Sequence, residues 1–195
     1  MSNLYDRFLE FLSSAEILEA TPALLNDQRR RFVSEPDIIL QPHSTENVQK
    51  IMRFCFEHRI PVTPQGGNTG LCGAAVASGG VLLNLSKINR IREINLADNS
   101  ITVEAGVILQ NVQKAAAEAG RLFPLSLASE GSCEIGGNIA CNAGGLNVLR
   151  YGSMRDLVLG LEVVLPNGEL VSHLQPLHKN TTGYDLRHLF IGSEG

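Results

Sequence analysis

Apolar positions between residues 44 and 63 fall into two successive rhythms. Val48, Ile51, Met52, Cys55 and Phe56 recur at i, i+3, i+4, i+7 and i+8, which lays one stripe along a helix, and Ser44 stands where its N-cap belongs. His58 and Arg59 close that helix with cations suited to the negative end of its dipole. The short runs Ile38-Ile39-Leu40 and Ile60 to Thr63 on either side read as strands, so the segment is predicted as a βαβ unit with parallel strands and a right-handed crossover. Upstream, Leu4, Phe8, Phe11 and Leu12 give an apolar face to a helical segment over 3–31, broken at Pro22. Downstream, Val81 to Leu85 reads as a further strand. Ile91 to Asn95 and Ile101 to Ala105 form a hairpin around a turn-rich tetrad at 97–100, and a helix through Leu109, Val112, Ala116 and Ala119 stops at Gly120. The run Leu157 to Leu165 turns at Asn167-Gly168 into Glu169 to Ser172.

Composition narrows the class. With 195 residues, 44% hydrophobic and 18% charged, the chain has the balance of a soluble globular protein large enough to bury a core without staples. The net charge of -4 gives no reason to expect nucleic acid as a partner, and the one basic run, Arg29-Arg30-Arg31, reads as the solvated side of a helix. Cys55, Cys72, Cys133 and Cys141 form no C-x-x-C pair and no ligand spacing with the five histidines, so no metal site is predicted. Acidic residues near the N-terminus argue against a secretory signal, and no apolar run is long enough to span a membrane. Reduced thiols and a cytoplasmic location are the expectation.

Glycine changes the picture. Nineteen are present, and five of them, at 131, 136, 137, 144 and 145, crowd into fifteen residues before a sixth at 152. Ser132, Asn138 and Asn142 between them are short and polar, which leaves main-chain N–H groups free to face an acceptor. A mobile surface loop is the simpler reading, but Ile135, Ile139, Ala140 and Ala143 alternate with the polar residues too regularly for a solvated linker. A second such stretch, Pro64-Gln65-Gly66-Gly67-Asn68-Thr69-Gly70-Leu71, lies at the carboxyl end of a strand, where α/β folds bind ligands. No G-x-G-x-x-G opens a helix there, so a diphosphate would sit in a nest of successive N–H groups. Hydrogen bonds to a charged group are worth ~1.5–3 kcal/mol each, and three or four approach the ~8 kcal/mol of micromolar binding. Two lobes, each presenting one such loop, imply a ligand clamped between them.

In order along the chain, PQGGNTGL at 64–71, GSCEIGGNIACNAGG at 131–145, RYGSMRDLVLGLEVVLPNG at 150–168 and TGYDLRHLFIGSEG at 182–195 resemble the FAD-binding half of the vanillyl-alcohol oxidase / p-cresol methylhydroxylase flavoproteins, in their D-2-hydroxy acid dehydrogenase branch. The resemblance implies an α+β, two-lobed FAD-binding domain. Residues 1–36 are read as an N-terminal helical segment. Residues 37–91 are a small parallel βαβ lobe, and 92–195 a larger, mainly antiparallel lobe with helices that lacks its last strand and the substrate domain. FAD is expected with its diphosphate on Gly66, Gly67, Asn68, Thr69 and Gly70, and Pro64 and Leu71 at the ends of that loop are expected among the cofactor-binding residues. Ser132, Gly136, Gly137, Asn138, Asn142 and Gly144 are expected along the riboflavin portion, with Tyr151, Gly152 and Glu194 in the same shell.

Some relatives tether the flavin through a histidine in the first loop. None lies between Pro64 and Gly73 here, so the cofactor is expected to be non-covalent, with Cys72, Cys133 and Cys141 as small buried filler. The resemblance further implies oxidation of a 2-hydroxy acid by hydride transfer to flavin N5, with an electron acceptor for the reduced cofactor. No catalytic residue is assigned, and the 195 residues alone are expected to be inactive. A non-catalytic FAD or nucleotide module needing a partner chain is the alternative.

Overall fold

The computed structural model describes residues 4–195 and divides into two compact units, Met1–Ile88 with Val163–Val171, and Asn89–Glu162 with Ser172–Gly195. In the first, the strands β1 (Ile17–Leu18), β2 (Ile38–Leu40), β3 (Val62–Gln65) and β4 (Val81–Asn84) form one sheet in the order β1-β2-β4-β3. β2 and β3 are both parallel to β4, and β1 runs antiparallel to β2. The expected parallel direction of the two strands joined by the helix holds, and β4 is inserted between them. β2 and β4 are buried throughout because both faces of the sheet are covered. Ile38, Leu40, Val81 and Leu83 pack on Val48, Ile51 and Cys55 of α3 (Thr45–His58) and on Phe8, whereas Ile39 and Leu82 meet Ala77 and the partly buried Leu18, Leu24 and Leu25.

α3 begins as its sequence demands, with Ser44 Oγ accepting the N–H of Asn47 at 3.2 Å, and ends on Arg59 in the left-handed region. Its stripe is shifted at the end. Phe56 is 60% exposed, and Phe54 instead turns inward against Phe8 and Phe11, with ring centroids 4.9 and 5.7 Å away. Burial pushes the Cys55 thiol up to about 11, so it stays a neutral packing group.

The helix expected over 3–31 is confined to α1 (Leu4–Leu9) and α2 (Pro22–Leu25); residue 3 lies outside the described residues. Distant hydrogen bonds break it. Glu16 accepts from Asn47 Nδ2 and from the N–H of His43, which pins the chain in a 3-10 turn before β1. Asp27 then gathers the N–H groups of Arg29, Arg31 and Phe32 on its carboxylate, so Arg29–Arg31 lie on a turn and not on a helix.

The second unit opens with the antiparallel hairpin β5 (Ile91–Asn95) and β6 (Ser100–Val103), followed by α4 (Leu109–Glu118). The stretch 129–152, read from sequence as a glycine-rich ligand-facing loop, contains two short helices, α5 (Ile135–Ala140) and α6 (Val148–Tyr151). Leu157 belongs to α7 (Met154–Leu157), and the strand predicted from it starts later, with β7 (Leu161–Val164) paired to β8 (Leu170–His173). The core of this unit gathers Val107, Leu109, Val112, Leu125, Cys133, Ile135, Met154, Val158 and Ile191.

Three carboxylates tie these elements, and all titrate below their usual range. Burial acts to raise Glu104, but Arg90, through its side chain and N–H, and Arg92 outweigh it; burial likewise opposes Asn47, Ser13 and His43 at Glu16. Asp27 is lowered chiefly by the N–H of Phe32, with those of Arg29 and Arg31. A lowered folded pKa contributes stability that is complete above the unfolded value, 4.5 for glutamate and 3.8 for aspartate, and lost as pH falls through the folded one. Urea unfolding is therefore expected to show a plateau above about pH 5.5 and a steady fall below about pH 4.5. Glu104→Gln should flatten that fall, and an unchanged profile in this variant would remove Glu104 from the account.

Candidate functional site

In the first unit β3 delivers Pro64, paired in register with Leu83, and the chain then leaves the sheet through Gly66, Gly67, Asn68, Thr69, Gly70 and Leu71. The loop is shaped by side chains. Asn68 sits in the left-handed region at φ +50°, and its Nδ2 donates to Ala23 O at 3.1 Å and Asn26 O at 2.7 Å. Beneath it Gln65, 2% exposed, donates from Nε2 to Leu24 O and Ala75 O and accepts at Oε1 from Asn84 Nδ2. Asn84 in turn accepts from Gln41 Nε2 at 2.9 Å. Among the described residues no acceptor takes up the N–H of Gly66, Gly67, Asn68, Thr69 or Gly70. A row of main-chain donors at the carboxyl end of a strand is thus left for something other than this chain.

The second glycine-rich stretch lies in the other unit and separates into parts with different duties. Ser132 is on an exposed turn and donates to Ser129 O. Gly136 and Gly137 lie side by side in the first turn of α5. A methyl on Gly136 would stand 2.8 Å from Ala105 Cβ and 3.2 Å from Ala105 O, so this glycine is required by the protein's own packing. A methyl on Gly137 would meet no atom within 4 Å. Asn138 follows at 5% exposure, and its Nδ2 is a buried donor with no partner among the described residues.

Beyond α5, Asn142 adopts φ +48° and accepts the N–H of Arg155 at Oδ1, while Gly144 packs near Val148. Glu194 returns to the same end of the helix. Its N–H goes to Ala140 O, and its carboxylate accepts from the Cys141 thiol at 3.7 Å. Arg155 fixes this return by donating to the carbonyls of His188 and Ile191. Tyr151 ends α6, with Gly152 as its C-cap. Cys133 is buried as expected of filler, but Cys72 and Cys141 are exposed, which corrects that expectation for both.

The donors of each unit, taken by themselves, fit one part of a dinucleotide. Unclaimed N–H groups suit phosphate oxygens, and an unpartnered buried amide suits the carbonyl edge of a heterocycle. Gln65, Asn84 and Arg155 had no place among the sequence-level candidates. Only the pairing of β3 with β4, which sets Gln65 opposite Asn84, identifies the first two as a unit.

This α+β arrangement is the fold of the p-cresol methylhydroxylase-type flavoproteins. Alkyldihydroxyacetonephosphate synthase superposes with a TM-score of 0.84 over 100% of this chain and 37% of its own, at 18% identity. The 6-hydroxy-D-nicotine oxidase of Arthrobacter nicotinovorans does so at 0.67 over 76% and 32%, at 25% identity. Residues 36–173 match the family described as FAD binding domain; the chain belongs to that family, and FAD is its cofactor.

In sequence it is 42% identical over 194 residues to the D-2-hydroxyglutarate–pyruvate transhydrogenase of Saccharomyces cerevisiae, covering 96% of this chain and 39% of the relative. It is 48% identical over 170 residues to the D-2-hydroxyglutarate dehydrogenase of Xanthomonas citri, covering 87% and 36%. With the mitochondrial D-2-hydroxyglutarate dehydrogenase of Danio rerio it shares 47% over 160 residues, covering 82% and 30%. The chain thus spans 30–39% of the length of these curated relatives.

Proposed function

We propose that the chain is the FAD-holding part of a dehydrogenase that oxidises a D-2-hydroxy acid to a 2-oxo acid. The observation that carries this reading is the row of N–H donors from Gly66 to Gly70 left without acceptors, on a chain of the FAD binding domain family. In this reading Gly66, Gly67, Asn68, Thr69 and Gly70 hold the diphosphate through main-chain donors, and Asn68 sets the curvature of the loop through its bonds to Ala23 and Asn26. Asn138 orients the flavin by giving Nδ2 to an acceptor on its edge, and Gly137 leaves the space for the approach. Bound FAD supplies the acceptor for the hydride that leaves the hydroxyl-bearing carbon. The names of the relatives favour D-2-hydroxyglutarate or D-lactate as the acid. A reducing, cytoplasm-like compartment suits four cysteines that form no disulfide, two of them exposed. No helix among the described residues is long and apolar enough to cross a membrane.

The test is a titration of the folded chain with FAD, followed by flavin absorbance and fluorescence. A dissociation constant of about micromolar is expected, with all flavin released on denaturation because the attachment is non-covalent. A folded chain that leaves FAD free in solution would sink the reading. A second reading, a module without turnover that a partner chain completes, is favoured by Leu146, Leu149 and Leu189, which stand 85%, 101% and 70% exposed. Native mass measurement with D-2-hydroxyglutarate turnover separates the two.

A further inference from the structure

The first loop has donors but no charge of its own. Between Pro64 and Ser86 there is no lysine, arginine, histidine, aspartate or glutamate, so a doubly anionic diphosphate placed there meets only neutral dipoles. Residues 22–35, all of which precede the stretch matched to the FAD binding domain family, run beside the segment 65–78 that holds this loop. Asn68 Nδ2 reaches Ala23 O and Asn26 O, Gln65 Nε2 reaches Leu24 O, and a methyl on Gly73 would lie 3.2 Å from the Phe32 ring. Further along, Ser34 Oγ accepts the N–H of Ala77, and Glu35 bridges to Ser78.

Between Asn26 and Phe32 this strap makes a tight turn carrying Arg29, Arg30 and Arg31. The turn is fixed from inside, with Asp27 accepting the N–H groups of Arg29, Arg31 and Phe32 and the N–H of Asp27 donating to Phe32 O. All three arginines are exposed, and among the described residues none is ion-paired with a carboxylate. Asn26 and Phe32, which flank the three cations, both meet the segment that carries the unclaimed N–H groups, at Asn68 and at Gly73.

We propose that the turn Arg29–Arg31 is the cationic wall of the diphosphate site, so that residues outside the matched domain decide how tightly the dinucleotide is held. The inference rests on the first loop being the diphosphate site. The arginines contribute charge and the loop contributes directed hydrogen bonds, which divides attraction from orientation. Riboflavin, which has no phosphate, should gain nothing from the turn.

The test uses the full 195-residue chain and two triple variants, Arg29→Gln/Arg30→Gln/Arg31→Gln and Arg29→Lys/Arg30→Lys/Arg31→Lys, titrated separately with FAD and riboflavin. The glutamine variant is expected to bind FAD about tenfold more weakly at low salt, since exposed charge contacts are individually modest. It should also lose most of the salt dependence that the parent shows between about 50 mM and about 0.5 M. Riboflavin binding should be unchanged, and the lysine variant should recover FAD binding because charge is kept. Equal FAD affinity and equal salt slopes in parent and glutamine variant would overturn the inference and leave the diphosphate assignment standing. A parent that binds no FAD would overturn both. A glutamine variant that loses riboflavin as well as FAD would show that the turn acts on folding, which also overturns it.

Discussion

Replacing Gly145 with alanine is expected to cost the protein about 2–5 kcal/mol of stability and lower its melting temperature by roughly ten degrees. Gly145 has φ +74°, a conformation that costs a side chain about 1–2 kcal/mol by itself. Its methyl would stand 2.2 Å from Ser126 O and 3.1 Å from Leu127 Cδ2. The nearer atom is a backbone carbonyl, and it already accepts the N–H of Leu146, so it cannot swing aside without breaking the turn it forms. The loss should appear in thermal unfolding with no FAD present. A variant that melts within a degree of the parent would show that residues 126 and 145 are not held together as described.

Gly137→Val is expected to weaken FAD binding by between tenfold and a hundredfold while leaving the melting temperature of the FAD-free protein nearly unchanged. Space without neighbours surrounds the Cβ position of Gly137, so the fold tolerates the side chain. A ligand that packs against that face does not, at the ~1–3 kcal/mol typical of overpacking. Its neighbour provides the control. Gly136→Ala drives a methyl into Ala105, so it should destabilise the protein whether or not the cofactor is bound. The comparison needs only calorimetry and a flavin titration. If Gly137→Val binds FAD as well as the parent, the second glycine stretch does not line the cofactor.

These two glycines show where sequence reading stops. Adjacent in the chain and identical in composition, they are distinguished only by Ala105, thirty-one residues upstream, which reaches one and not the other. The α3 stripe, the Ser44 cap and the left-handed Gly120 at the end of α4 were legible because a helix depends on residues three and four apart. The position of β4 between β2 and β3 was not, since strand order is set by side chains that meet only after the chain has crossed over. The N-terminal segment misled for the same reason. Leu4, Phe8, Phe11 and Leu12 do carry a helical rhythm, but Glu16 is claimed by Asn47 and His43, and those long-range bonds override local preference. The glycine-rich character of both loops was plain, whereas Gln65 holding Ala75 from below depends on a fold already formed.

The first unit is assembled from two separate pieces of chain, because Val163–Val171 belongs with the first 88 residues. Val164 packs on its core, and Gly168 O accepts Gln49 Nε2 beside α3. During synthesis the N-terminal unit therefore cannot close until residue 171 has left the ribosome, when all of Asn89–Glu162 has already emerged. Translation pauses or nascent-chain truncations ahead of Val163 should leave a flank of α3 bare to chaperones, however well the first 88 residues have paired their strands.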